Sequence, residues 1–127
     1  MQFYHSRRVE KSFDDVVASV TAALKSEGFG VITTIDMADK LKEKLGVSLH
    51  RYTILGACNP PLAYKALQIE DKIGVMLPCN VIVQEKEEGV EVAAIDPAAS
   101  MAAVGNDSLN DVAKEVSAKL KRVVEAL

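Results

Sequence analysis

The C-terminal segment, residues 108–127, constrains the fold of this chain more than any other part of the sequence. Its apolar residues recur at the spacing of one helical face, and Asp111 stands three positions after Ser108, as in a capping box. That face carries Leu109, Val112, Ala113, Val116, Leu120, Val123, Val124 and Leu127. We predict an amphipathic helix that begins at Ser108 and must cover an apolar surface elsewhere in the chain.

A second amphipathic helix is predicted near the N-terminus. It begins at Ser12, with Asp15 in the matching capping position, and Gly28 ends it. Its apolar face consists of Phe13, Val16, Val17, Val20, Ala23 and Leu24. Shorter helices are predicted over residues 36–46, 60–69 and 96–105. The two long helices each need a surface on which to pack.

Segments rich in β-branched and aromatic residues supply that surface. We predict strands over residues 2–9, 29–35, 51–57 and 90–95. A further pair of strand segments, residues 73–77 and 81–85, is predicted to be separated by a bend. The bend is placed at Pro78, because proline has no amide hydrogen to give to a sheet ladder. The resulting order of elements is β-α-β-α-β-α-β-β-α.

We therefore predict an α+β fold, a two-layer sandwich in which helices pack on one face of a twisted, mostly antiparallel sheet. A chain of 127 residues fits one core, so we assign residues 1–127 to a single domain. The hydrophobic content of 49% is typical of a folded globular protein.

Composition and charge argue against two classes of partner. The net charge of −3 and the small number of aromatic residues disfavour nucleic acid, which needs clustered cations and stacking platforms. No apolar run approaches the ~20 residues that span a bilayer, and the N-terminus lacks the apolar core of a signal peptide. We expect a cytoplasmic protein without nucleic-acid or membrane partners, whose cysteines are thiols rather than a structural disulfide.

The only two cysteines are each followed by asparagine and flanked by proline, in CNP at residues 58–60 and PCN at residues 78–80. Asn59 suits the N-cap of a helix and Pro60 its first position. These roles leave Cys58 unexplained. A thiol near a helix N-terminus can have a lowered pKa, although free cysteine also serves as a small buried apolar residue. The second motif has no capping explanation, and we interpret it as a bulge.

If the strand that ends at Cys58 neighbours the turn at Cys79, the two sulfurs can meet in a shallow pocket flanked by Asn59 and Asn80. Two thiols suit a soft metal such as Zn²⁺ or Cu⁺, or a reversible dithiol. Two thiolates alone do not complete a zinc site, which usually has four ligands. The spacing also differs from that of a C-x-x-C redox motif.

Other chemical motifs are weak. His5 and His50 could join such a site, but their polar neighbours favour exposure to solvent. Most of the aspartates lie at predicted helix starts, where they serve as caps. Phosphate-binding loops, zinc-protease motifs and serine-nucleophile motifs do not occur in the sequence. We therefore expect binding rather than catalysis.

The segments "ILGACNP", "IGVMLPCNVIVQE", "VAAIDP" and "EGFGVITTID" resemble those of domain of unknown function family 302, over nearly the whole chain. The resemblance implies a small two-layer α/β domain of the TATA-binding-protein-like fold group, a homodimer, and no established activity. It carries over Gly56, Asn59, Pro60, Leu77 and Pro78 as motif positions. Family members often lack the first cysteine, so an essential dithiol would belong to a subgroup. The likeness to a DNA-bending fold is an analogy only.

Our primary functional hypothesis is a small-molecule or soft-metal binding domain with a pocket at the two Cys-Asn turns. The candidate ligand-binding residues are Gly56, Cys58, Asn59, Cys79 and Asn80, and Cys58 and Cys79 are the candidate ligands of zinc or copper. One alternative is a thiol-based redox enzyme with Cys58 as nucleophile and Cys79 as resolving partner. Another is a dimeric protein-interaction module that uses exposed sheet edges.

Overall fold

A single antiparallel sheet organises the structure, a computed structural model that describes residues 2–127. Its five strands are β1 (Tyr4–Val9), β2 (Gly30–Asp36), β3 (Tyr52–Cys58), β4 (Cys79–Lys86) and β5 (Gly89–Ile95). They lie in the order β1-β5-β4-β3-β2, and every neighbouring pair is antiparallel. The predicted α+β sandwich is confirmed, with a sheet that is entirely rather than mostly antiparallel.

The helices are α1 (Phe13–Ser26), α2 (Met37–Leu45), α3 (Pro60–Ile69), α4 (Pro97–Ser100) and α5 (Asn110–Glu125). Helices α1 and α5 pack against the sheet and against each other, and α3 packs against α5. Helix α2 contacts β3 but buries none of its side chains. In residues 2–127 no helix is both long enough and apolar enough to cross a membrane.

The two faces of the sheet differ because side chains alternate along each strand. The face under the helices holds the buried residues Val9, Leu55, Ala57, Cys79, Val81, Val83, Val90, Val92 and Ala94. We call the opposite face the open face. Its middle row crosses all five strands in register and consists of Ser6, Ala93, Ile82, Ile54 and Ile35.

The start of α5 differs from the prediction. Ser108 does not cap this helix; a 3-10 turn, Asp107–Leu109, precedes it, and the side chain of Asn106 accepts a hydrogen bond from the Ser108 amide at 3.1 Å. Asn106 therefore caps the 3-10 turn, and α5 continues from that turn at Leu109 without a side-chain cap of its own. At α1, by contrast, Ser12 Oγ accepts from the Asp15 amide at 3.1 Å, as predicted.

The predicted strand over residues 73–77 is wrong. Those residues belong mainly to a 3-10 helix, Asp71–Met76, whose first turn is capped by the Glu70 carboxylate. Ile73 is buried whereas Val75 is 86% exposed, so the apolar run does not mark a buried strand. Short apolar runs do not separate strand from helix by periodicity alone.

The chain bends at Pro78, as predicted, but the predicted bulge does not form. The Leu77–Pro78 peptide is cis, and β4 begins immediately afterwards with Cys79 opposite Ala57 of β3. From there the register of β3 and β4 runs without a shift, and the irregularity of the sheet lies in the edge strand β2 between Val31 and Thr33. Pro78 thus precedes the strand, where its missing amide hydrogen interrupts no ladder.

Candidate functional site

Asn59 joins the start of α3 to the end of α1. Its Oδ1 accepts a hydrogen bond from the Leu62 amide at 3.3 Å, and its Nδ2 donates to the Glu27 carbonyl at 3.4 Å. The side chain is buried, with 9% exposure. Pro60 follows as the first residue of α3, as the capping pattern predicted. Because both polar atoms of the Asn59 amide have protein partners, this residue supports the local structure.

The second Cys-Asn pair is split between the two faces of the sheet. Cys79 and Asn80 are the first two residues of β4, so their side chains point to opposite sides. Cys79 faces the helices and is 8% exposed, whereas Asn80 lies on the open face and is exposed. The structure therefore does not bring the side chains of Asn59 and Asn80 together around one pocket.

Gly56 allows three segments to pack closely. A Cβ atom at this position would lie 2.8 Å from Cγ of Pro78 and would overlap the hydroxyl of Thr33. Real Cβ atoms do not approach neighbours that closely, so any side chain would displace β2 or the segment before β4. Gly56 thus serves close packing. The position that a side chain would occupy is on the open face of the sheet.

The two cysteines do border one cavity. It has a volume of about 260 Å³ and lies where the ends of β3 and β4 meet α3 and α5. Ala57 and Cys79 are paired across the two strands, and Cys58 is the last residue of β3. The inner wall comes from the helices and consists of Leu62, Ala66, Val112 and Val116.

Both thiols are free, and burial sets the chemistry of the inner one. The pKa of Cys79 is raised from 9.0 to about 11, first because burial disfavours the thiolate and second because a negative charge on Cys58 repels it. At neutral pH the Cys79 thiol is therefore protonated. Cys58 is half-buried at the end of its strand.

Classical metal-ligand sets do not form in the described chain. Among residues 2–127 no three or more His, Cys, Asp or Glu side chains converge on a common point. His5 is half-buried rather than exposed, with Nε2 3.3 Å from Ser117 Oγ on α5. His50 is exposed and lies 3.1 Å from Gln84 Oε1. Neither histidine borders the cavity.

Sequence reasoning identified the cysteines and Asn59 but not most of the cavity lining. Val112 and Val116 belong to the predicted apolar stripe of α5, and Leu62 and Ala66 to the apolar side of the predicted helix over residues 60–69. Their periodicity signals burial, but it does not tell a cavity wall from a filled core. Met101 also lines the cavity and was not singled out. A buried methionine in a short helix carries no signal that could have identified it.

The comparisons with known proteins agree on one family. The family model described as "Domain of unknown function DUF302" matches residues 5–127. A crystal structure of an uncharacterized conserved DUF302 protein from Bacillus stearothermophilus superposes with a TM-score of 0.93. The two sequences are 24% identical, and the match covers 99% of this chain and 98% of that chain. At this identity the likeness shows the fold alone. A search of curated proteins found no match.

Proposed function

The chain belongs to the DUF302 family, and we propose that this member is a binding protein whose ligand, a small apolar molecule or a soft metal ion, occupies the cavity beside Cys58 and Cys79. The observation that supports this proposal is the cavity itself. It is a half-open cleft of about 260 Å³ at the meeting point of two strands and two helices, and its lining is almost entirely apolar. Ligand sites are typically concave and mostly apolar, with a few polar groups.

The lining favours an apolar occupant. Apart from the thiols, the side chains that border the cavity are almost all aliphatic or aromatic, including Phe29, Leu62 and Val116. The one amide, that of Asn59, already has its hydrogen-bond partners. An apolar cavity of about 150 Å³ holds benzene, so about 260 Å³ suits a molecule somewhat larger than one aromatic ring.

Naphthalene is a suitable test ligand because it has this size and no polar group. Ala66→Leu places a larger side chain in the cavity from its α3 wall. Titration calorimetry should detect naphthalene binding to the parent protein and at least about tenfold weaker binding to Ala66→Leu. Ala118→Leu, on an exposed position of α5, is the matched control and should bind like the parent. Failure of the parent to bind, or equal binding by both variants, would contradict the proposal.

The enzymatic alternative has less support. A resolving thiol must ionise to attack, and the thiolate is the reactive form. Burial raises the pKa of Cys79 to about 11, which keeps this thiol neutral in the physiological range. The environment of Cys79 suits an apolar contact or a ligand-dependent deprotonation better than repeated redox turnover.

We also propose that the open face joins two copies of the chain, as the family resemblance implies. The middle row of this face is uncharged, with three isoleucines in register on β2, β3 and β4. With about 4.8 Å between strands and about 3.3 Å per residue, a five-stranded face covers roughly 500 Å², so two faces would bury about the 1,000 Å² that a specific interface needs. A second copy of the same face is the occupant that supplies such a surface.

Light scattering tests the pairing. The parent protein should have the mass of a dimer, and Ile54→Lys, in the centre of the open face, should have the mass of a monomer. Thr21→Lys, on an exposed position of α1, adds the same charge elsewhere and should remain dimeric. A monomeric parent protein would contradict the proposed dimer without bearing on the cavity.

A further inference from the structure

The register of the sheet fixes which side chains stand beside one another on the open face. Next to the middle row, toward the β4–β5 hairpin, lies a second row that we call the hairpin row. It consists of Arg8, Glu91, Gln84 and Tyr52, on β1, β5, β4 and β3. Ile95 lies on β5 at the opposite end of the open face. Charged side chains are therefore concentrated at the hairpin end of this face.

Aligned sheet packing allows two twofold arrangements of a pair of open faces. Two packed sheets commonly keep their strand directions within about 30° of each other, and a closed dimer needs a surface that fits its own copy. An axis parallel to the strands brings the two hairpin rows together. Because β4 is the central strand, it then lies over its own copy, and β5 lies over β3 of the partner subunit. An axis across the strands instead places every strand over its own copy and sets the hairpin row against the far end of the other face.

Side-chain sizes along the middle row favour the axis parallel to the strands. In that arrangement Ala93 opposes Ile54 of the partner subunit, and Ser6 opposes Ile35 of the partner subunit. A small side chain thus stands against a large one on both sides of β4. With the other axis Ala93 would meet Ala93 of the partner subunit and Ile54 would meet Ile54 of the partner subunit, which leaves a gap on one side and crowding on the other. Interface cores are packed as closely as protein interiors, so the sizes fit the first arrangement better.

The charge of Glu91 selects the same axis. Its Oε1 accepts a hydrogen bond from Gln84 Nε2 at 2.9 Å, and the residue is half-buried before any partner covers it. A carboxylate that is buried further needs additional donors. The axis parallel to the strands sets Glu91 against Tyr52 of the partner subunit, whose phenol hydroxyl is a donor. The axis across the strands sets it against Ile95 of the partner subunit, which has no side-chain donor.

We infer that two copies of the chain pair about a twofold axis that runs along β4, between the two open faces. Each Ala93 then packs on Ile54 of the partner subunit, and each Glu91 carboxylate accepts a hydrogen bond from Tyr52 of the partner subunit. This inference rests on the proposed dimer, because it names the contacts through which that dimer forms. Glu91 and Tyr52 are the residues that fix the orientation of the pair.

Loss of a single hydroxyl group tests the polar contact. Tyr52→Phe removes the proposed donor and keeps the ring, so the dimer dissociation constant, measured by sedimentation, should rise about tenfold or more. Tyr4→Phe makes the same change to another half-buried tyrosine of the open face and should dimerise like the parent protein. Equal dissociation constants for the two variants would contradict the contact.

Cross-linking locates the axis. In a Cys58→Ala background only the enclosed Cys79 remains, and Gln84→Cys or Ala93→Cys then adds one thiol to the half-buried part of the open face. With the axis along β4, Gln84→Cys lies over its own copy, and a short thiol-to-thiol cross-linker should join the two subunits. Ala93→Cys is then displaced sideways from its copy by two strand spacings, about 10 Å, and should cross-link far more slowly.

The two variants also separate failure of the axis from failure of the dimer. A dimer in which Gln84→Cys does not cross-link, or in which Ala93→Cys cross-links as fast, would overturn the inferred axis and leave the proposed dimer intact. A monomeric parent protein would overturn both.

Discussion

The two Cys-Asn pairs have the same sequence and nearly opposite structures. In the first pair the asparagine is buried and hydrogen-bonded while Cys58 is only half-buried. In the second pair the cysteine is buried and Asn80 is exposed on the other face of the sheet. The difference arises because the first pair ends a strand and caps a helix, whereas the second pair begins a strand. Position relative to an element boundary, rather than residue type, decides which of the four side chains can meet a ligand.

Removal of each asparagine should give the largest contrast between the two pairs. Asn59→Ala removes a helix cap and leaves the Glu27 carbonyl without its side-chain donor, so we expect a loss of about 2–3 kcal/mol in the free energy of unfolding. Asn80→Ala changes an exposed position and should cost about 0.5 kcal/mol or less. Urea denaturation of both variants measures the difference, and similar losses for the two variants would contradict the different roles of Asn59 and Asn80.

Alkaline pH should distinguish the buried thiol from the other thiol. Unfolding returns the pKa of Cys79 from about 11 to its ordinary value of 9.0. Between these values the unfolded chain has lost the proton that the folded protein keeps, so the free energy of unfolding falls as pH rises from about 9 to about 11, by roughly 2 kcal/mol. Below pH 9 both states hold the proton and this contribution is constant.

Because tyrosines and lysines titrate in the same range, the measurement is a difference between variants. Urea denaturation at pH 8 and pH 10.5 should show a larger alkaline loss for the parent protein than for Cys79→Ala. Cys58→Ala should retain most of the parent's alkaline loss, since burial rather than the neighbouring charge is the larger cause of the Cys79 shift. Parallel pH profiles of the parent and Cys79→Ala would contradict the assigned burial of this thiol.

Cys58 and Cys79 should also differ in their rates of thiol labelling, an effect that is smaller in free energy than the stability changes above. Cys58 is half-buried, whereas Cys79 is enclosed and protonated at neutral pH, so a disulfide reagent should label Cys79 at least about tenfold more slowly. The single variants Cys58→Ala and Cys79→Ala allow each rate to be measured separately by absorbance. Naphthalene should slow the labelling of Cys79 further. Equal rates in the folded protein would place both thiols in the same environment.

Local rules predicted much of this fold because the relevant signals lie close together in the sequence. The apolar stripes of α1 and α5 and the caps at Ser12 and Asn59 depend on residues a few positions apart. These local signals were sufficient to predict a sheet with helices on one face.

The failures involve information that neighbouring residues do not carry. The direction of Asn80 depends on β4 beginning at Cys79. Residues 73–76 belong to a 3-10 helix in which only Ile73 is buried, and their local sequence does not separate this from a strand. Met101 reaches the cavity through packing between elements that are distant in the sequence. Sequence patterns could therefore name both thiols and a pocket beside them, but not Met101 or the helical walls of that pocket.

We propose that the ligand site lies on the Cys79 side of β4 and not on the Asn80 side. Amide chemical-shift mapping during a naphthalene titration distinguishes the two sides, because it reports on both faces of the sheet in one experiment. The structure predicts that the largest shifts will occur at Ala57, Ala66 and Val116, which border the cavity. Largest shifts at Tyr52, Ile82 and Ala93, which lie on the open face, would contradict the account.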